Sequence, residues 1–189
     1  GTGYQRMANT VANDYNGDLS LIQSGSGYLR PAYNRDCTLE GDLYYDFTSL
    51  IRFGDASGSL IFDGASDQSI NDLAASTIPY FEEMVVNKSA GELTLNTPII
   101  IANDLTLTDG LLNTDFTNTL TFLDNSTVTS TSNESHVVGP VNKIGNDDFN
   151  FPVGNGIQYR PIGIARVTSG SAEFQASYID TSANASYSI

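Results

Sequence analysis

Six short stretches of this chain repeat one pattern: a turn-forming residue, a polar residue, leucine, one variable residue, then an apolar one. They are GDLSL at 17–21, GDLYY at 41–45, GSLIF at 58–62, GELTL at 91–95, NDLTL at 103–107 and NTLTF at 118–122. In an extended chain the leucine and the residue two places later share one face, and the residue between them takes the other. A unit this short cannot bury its own apolar face, whereas stacked units bury a continuous one. The leading Gly or Asn suits the left-handed backbone of a tight turn.

The spacing of the leucines carries fold information. Leu19, Leu43, Leu60, Leu93, Leu105 and Leu120 are separated by 24, 17, 33, 12 and 15 residues. An up-and-down sandwich places turn signals evenly, about every 8–12 residues. Irregular intervals fit rungs made of several short strands joined by variable turns. The expected fold class is therefore all-β, with a β-solenoid-like repeat region over residues 1–145; a plain β-sandwich with chance matches is the competing reading. Val85, Ile99, Ile100 and Ile101 are expected in the core. The stretch NDLAASTIPYFEEM at 71–84 offers at most one helical turn, because Pro79 interrupts it.

Beyond about residue 136 the texture changes. Pro152 and Pro161 punctuate the chain, and SAEFQASYID at 171–180 alternates polar and apolar residues. Longer strands with one solvated face are expected there, so residues 146–189 read as the start of an antiparallel β-sandwich. Within FNFPVGNGIQYRPIGI at 149–164, the segment GNGIQY lacks the third glycine of a dinucleotide fingerprint and is flanked by strand-like residues. It reads as a turn between strands, with Gly154 and Gly156 at positive φ.

Composition narrows the function classes. Ten Tyr, nine Phe and abundant β-branched residues agree with an all-β chain. The net charge is −14, and the eight basic residues are scattered from Arg6 to Arg166. Nucleic-acid and anionic-membrane partners need clustered positive charge, so neither is expected. No apolar run approaches the roughly 20 residues of a membrane helix. The ends, GTGYQRMANT and SANASYSI, read as those of a segment cut from a longer chain. Cys37 and His136 are each the only residue of their kind, which leaves no internal disulfide, no zinc cluster and no Cys–His nucleophile pair.

The remaining site candidates each have a plain structural counterpart. DYNGD places oxygen ligands at Asp14, Asn16 and Asp18, as calcium loops do. Leu19 and Gly25 stand where an EF-hand loop needs Gly and Glu, so a partial calcium site or an Asx-rich turn remains. Glu82–Glu83 and Asp147–Asp148 supply carboxylate pairs, but neighbours on a strand point to opposite faces, so neither doublet makes a glycosidase pair by itself. Arg52 and Lys88 are too few and too separate for a lyase that stabilises acidic sugars. Thr-x-Thr spacings at Thr106/Thr108, Thr117/Thr119/Thr121 and Thr127/Thr129 suggest an ice-binding face or ordinary solvated strands. Tyr28, Tyr33, Tyr44 and Tyr45 suggest a platform for sugar rings or the rim of a β core.

Four stretches in order add a resemblance: GSLIFDGASDQSI (58–70), EEMVVNKSAGELTLNTPIIIANDLTLTDGLLNT (82–114), and SHVVGPVNK followed by FPVG within 135–164. The series resembles large secreted surface proteins of the Bacteroidetes. The resemblance implies a right-handed parallel β-helix-like region leading into a β-sandwich module, and export to the cell surface or medium. It implies a structural or adhesive role; surface glycans or other surface proteins are the partners expected of such a module. It brings no catalytic motif; no cofactor is expected apart from the calcium candidate at Asp14, Asn16 and Asp18. A carbohydrate-binding or carbohydrate-cleaving solenoid and an ice-binding solenoid are the alternatives.

Overall fold

The computed structural model describes residues 4–6, 13–23, 28–47, 52–54, 57–74 and 77–180. They contain no helix. Their strands stack in parallel as a β-solenoid of about five turns.

Each turn crosses three panels. The first holds β7 (Arg52–Phe53), the start of β10 (Tyr80–Asn87), the start of β12 (Ile99–Asp109), β14 (Leu120–Phe122) and β17 (Val141–Ile144). The second holds β2 (Asn13–Tyr15), β5 (Cys37–Leu39), β8 (Leu60–Phe62), the later parts of β10 and β12, and β15 (Thr127–Thr129). The third is a separate sheet of β3 (Leu19–Gln23), β6 (Leu43–Phe47), β9 (Gln68–Asp72), β11 (Leu93–Leu95), β13 (Leu112–Asn113), β16 (Val137–Val138) and β19 (Val153–Gly154). β10 and β12 run through both of the first two panels. A register shift between Phe81 and Glu83 marks the corner. β1 (Tyr4–Arg6) and β4 (Tyr28–Arg30) form a further parallel pair.

The pentapeptides explain both the stacking and its irregular spacing. GDLSL, GDLYY and GELTL lie on the third panel, GSLIF and NDLTL on the second, and NTLTF on the first. One pattern thus serves every side of the solenoid. The interval between Leu19 and Leu43 is one full turn, since these residues pair across β3 and β6. The interval from Leu43 to Leu60 carries the chain from the third panel to the second panel of the next turn. In all six units the leucine and the residue two places on are buried.

The core is built of like-on-like columns. On the first panel Phe53, Phe81, Ile101 and Phe122 stack in register, and Lys143 ends the column. Phe53 and Phe81 are parallel at 4.6 Å between ring centroids. On the second panel Cys37, Leu60, Met84 and Leu105 stack, as do Leu39, Phe62, Val86 and Leu107. Burying one such side chain stabilises the fold by about 1.5–3 kcal/mol.

Several expectations are corrected. Ile99 and Ile101 are fully buried, but Ile100 and Val85 are half-buried and point outward, because alternate residues of one strand cannot share a face. The stretch 71–84 runs from the end of β9 into β10 and holds no helical turn among its described residues. The longest strands are β10 and β12, with 8 and 11 residues, whereas those after residue 136 have four or fewer. SAEFQASYID contributes only β21 (Glu173–Ala176). Of the leading pentapeptide residues only Gly91 has positive φ. Gly41 is glycine for a different reason: a Cβ there would lie 2.4 Å from the Gly17 carbonyl carbon of the turn beside it.

Parallel pairing continues past residue 145. β19 pairs with β16, and Val137 N–H donates to Pro152 O at 2.8 Å. Antiparallel strands then close the last turn. β21 covers the edge of β17, and β18 (Phe149–Phe151) pairs with β20 (Ile162–Ile164). Covering β17 occupies hydrogen-bonding groups that would otherwise offer an open edge.

Candidate functional site along the turn edge

Asp18 and Lys88 lie where the second panel turns into the third, among acids of the neighbouring rungs. There Asp18, Asp42 and Asp67 each reach across to a backbone amide of the next rung. Asp18 Oδ1 accepts from Asp42 N–H at 2.9 Å, and Asp42 Oδ1 accepts from Ser69 N–H at 2.7 Å. Asp67 Oδ1 accepts from Glu92 N–H at 3.1 Å, and Glu92 accepts from Asn113 Nδ2. Other turns do the same, with Asp36 taking Ser59 N–H and Asp124 taking Asn146 N–H. Those five carboxylate-to-amide bonds join residues 22 to 27 positions apart, which is one turn of the solenoid. Turn amides that lack a ladder partner are thereby satisfied.

Beneath this edge lies Lys88, with 1% of its surface exposed. Its Nζ donates to Gly64 O at 2.9 Å, Ser66 O at 2.8 Å and Gln68 Oε1 at 2.8 Å. All three ammonium protons are used. Gln68 is itself buried; its Oε1 also accepts from Gly64 N–H, and its Nε2 donates to Leu39 O. Burial pulls the Lys88 pKa below the ordinary lysine value, and the carboxylates of Asp67, Asp63 and Asp42 oppose that pull. Asp63 is pushed up, first by burial and then by Asp14.

A second buried lysine lies on β17, the last parallel strand of the first panel. Lys143 forms an ion pair with Asp147 at 2.9 Å, donates to Leu123 O and lies 5.0 Å from the centre of the Phe149 ring. Lys88 and Lys143 both follow an asparagine, in VVNK and PVNK. Both dipeptides lie within the stretches that carry the resemblance, and that shared dipeptide is the one local feature the two lysines have in common.

His136 is fully buried and locks the glycine-rich turn. Gly156 N–H donates to its Nε2 at 3.0 Å, so Nε2 carries no proton and Nδ1–H donates to Ser132 O at 3.1 Å. Gly156 has φ +84°, as expected, but Gly154 does not lie at positive φ. A Cβ on Gly154 would stand 2.5 Å from the His136 ring, so contact rather than backbone angle requires glycine there.

The other candidates are placed as follows. Asp14 accepts from the Thr38 hydroxyl at 2.7 Å, and Asn16 is exposed in the turn. Among the described residues no group of three or more His, Cys, Asp or Glu converges as metal ligands. Glu82 and Glu83 both lie on the outer surface, because the corner in β10 breaks the alternation that should have separated them. They diverge in partners: Glu82 pairs with Arg52, and Glu83 accepts from Asn103. Asp148 accepts from Arg166 N–H. The Cys37 thiol is pushed up to about 12, by burial first and then by Asp14, which suppresses its nucleophilic thiolate. Tyr45 is a core residue whose hydroxyl lies 3.2 Å from Thr97 Oγ1; Tyr44 donates to Asp42 Oδ2 at 3.0 Å. Tyr28 falls outside the described side chains. The outward column of the second panel reads Asp14, Thr38, Ile61, Val85, Thr106 and Thr129, a mixed surface rather than a threonine face.

No protein-family model, curated protein or solved structure matches this chain.

Proposed function

We propose that this chain is a non-catalytic structural or adhesive module of a secreted cell-surface protein, acting at the outer surface or in the medium. In this reading the solenoid is right-handed, and residues 146–189 begin an antiparallel β-sandwich module. One observation carries it. Five carboxylates on the turns, those of Asp18, Asp36, Asp42, Asp67 and Asp124, hold one rung on the next. Such a surface presents a long, stiff, acidic face to a partner, whether a glycan or another surface protein.

A carbohydrate-binding reading stands second. It is favoured by a groove at the closing end, lined by Tyr159, Arg160, Gln175 and Tyr178. Rings of this kind stack on sugars, and the polar groups would set orientation. A glycan array run beside a polysaccharide-cleavage assay tests both. Glycan binding lost on Tyr159→Ala and Tyr178→Ala would favour the second reading. Turnover of any polysaccharide would refute the first.

A further inference from the structure

The chain has two Asn–Gly steps, Asn16–Gly17 and Asn155–Gly156. Glycine lacks a Cβ, so its backbone nitrogen can reach the side-chain carbonyl of a preceding asparagine. The fold treats the two steps oppositely. At the second, Gly156 N–H is held by His136 Nε2 at 3.0 Å. Asn155 Oδ1 accepts from Ile157 N–H at 3.1 Å and Gln158 N–H at 2.8 Å, and its Nδ2 donates to Asp180 at 3.2 Å. Both reacting groups are pinned. At the first, Asn16 and Gly17 are exposed, and neither the Asn16 amide nor Gly17 N–H has a hydrogen-bond partner among the described residues. The Asp–Gly steps at 63–64 and 109–110 stand aside, because an ionised carboxylate is a poor electrophile.

We propose that Asn16 is a built-in modification site that deamidates spontaneously in the folded protein, while Asn155 is protected. Gly17 N attacks Asn16 Cγ; a new C–N bond forms, the Cγ–Nδ2 bond breaks, and ammonia leaves with the displaced proton. Water then opens the cyclic imide at one of its two carbonyls, giving isoaspartate or aspartate. The new carboxylate lies between Asp14 and Asp18. In the isoaspartyl product the backbone is longer by one carbon, directly beside the contact of Asp18 with Asp42. That product is a substrate for the class of enzymes that methylate isoaspartyl carboxylates.

The test is incubation of the intact protein at mildly alkaline pH. Peptide mass spectrometry follows each site, and methyl transfer by an isoaspartyl methyltransferase reports the product. Asn16 is expected to convert at least about tenfold faster than Asn155, the protected site reacting only through local opening. In urea the two rates should converge. Gly17→Ala, which has open space around the added methyl group, should suppress conversion at residue 16. Equal native rates, a ratio that persists in urea, or undiminished conversion in Gly17→Ala would each overturn the proposal.

Discussion

Replacing Lys88 by methionine tests whether the buried ammonium holds the turn edge together. The stem keeps its volume and only the charge and its three donors are lost. Hydrogen bonds to a charged group contribute about 1.5–3 kcal/mol each, so three give a gross ~4.5–9 kcal/mol. Burial of the charge offsets much of this, as the lowered Lys88 pKa records. Two backbone carbonyls, Gly64 O and Ser66 O, would then face sulfur and methyl; each unsatisfied acceptor costs about 1–3 kcal/mol. The expected net loss is about 2–4 kcal/mol. With a urea slope of about 2 kcal/mol/M, the midpoint should fall by roughly 1–2 M at unchanged slope. Far-ultraviolet circular dichroism and tyrosine fluorescence would follow the transition, there being no Trp. The same network has a pH signature. The folded pKa of Lys88 lies below its unfolded value, so between the two the unfolded chain binds more protons. This group's contribution to stability therefore rises with pH in that window, and the methionine variant should lose that rise. An unchanged or higher midpoint would refute the reasoning, since a buried ion is sometimes replaced by hydrocarbon at no loss.

Cys37 and Tyr45 act in the opposite direction. Their folded values are raised from 9.0 and 10.0 to about 12, so their stabilisation is complete below the unfolded values and is lost as pH rises toward 12. At about 1.4 kcal/mol per unit, Cys37 accounts for roughly 4 kcal/mol, and Cys37→Val should move the alkaline transition to higher pH in a circular dichroism titration. Asp147 sets an acid limb. Burial raises its pKa, but the bonds from Lys143 and Asn125 N–H outweigh burial and hold it below 3.8, so its contribution is lost as pH falls through the folded value. Asp147→Asn should remove that limb and cost about 1–3 kcal/mol in urea unfolding, by leaving Lys143 buried without its counter-charge. His136→Ala should destabilise by about 2–3 kcal/mol and expose residues 154–159 to hydrogen exchange well before the solenoid body, which should remain protected.

The alternation of apolar residues in the pentapeptides was legible in the sequence because it is local. A strand of period two needs no knowledge of its neighbours, so Leu60 and Phe62, or Leu120 and Phe122, could be assigned inward at sight. Irregular leucine intervals carried the solenoid for the same reason: they count residues between turns. The turn chemistry was less legible. Asp18 reads locally as a calcium ligand or an Asx-turn residue, and nothing local marks Asp42 or Asp67, because the amides they bond lie a full turn away. Lys88 and His136 looked isolated for the same reason: Gly64 lies 24 residues before Lys88, and Gly156 lies 20 residues after His136. The corner in β10 turned Glu82 and Glu83 outward together against the local period. Gly41 and Gly154 were misread as conformational glycines when the approach of a neighbouring segment excludes a side chain. Local periodicity determined that this chain stacks; the stacking itself decided which polar groups are buried, paired or left open, because those partners meet only once successive turns are in register.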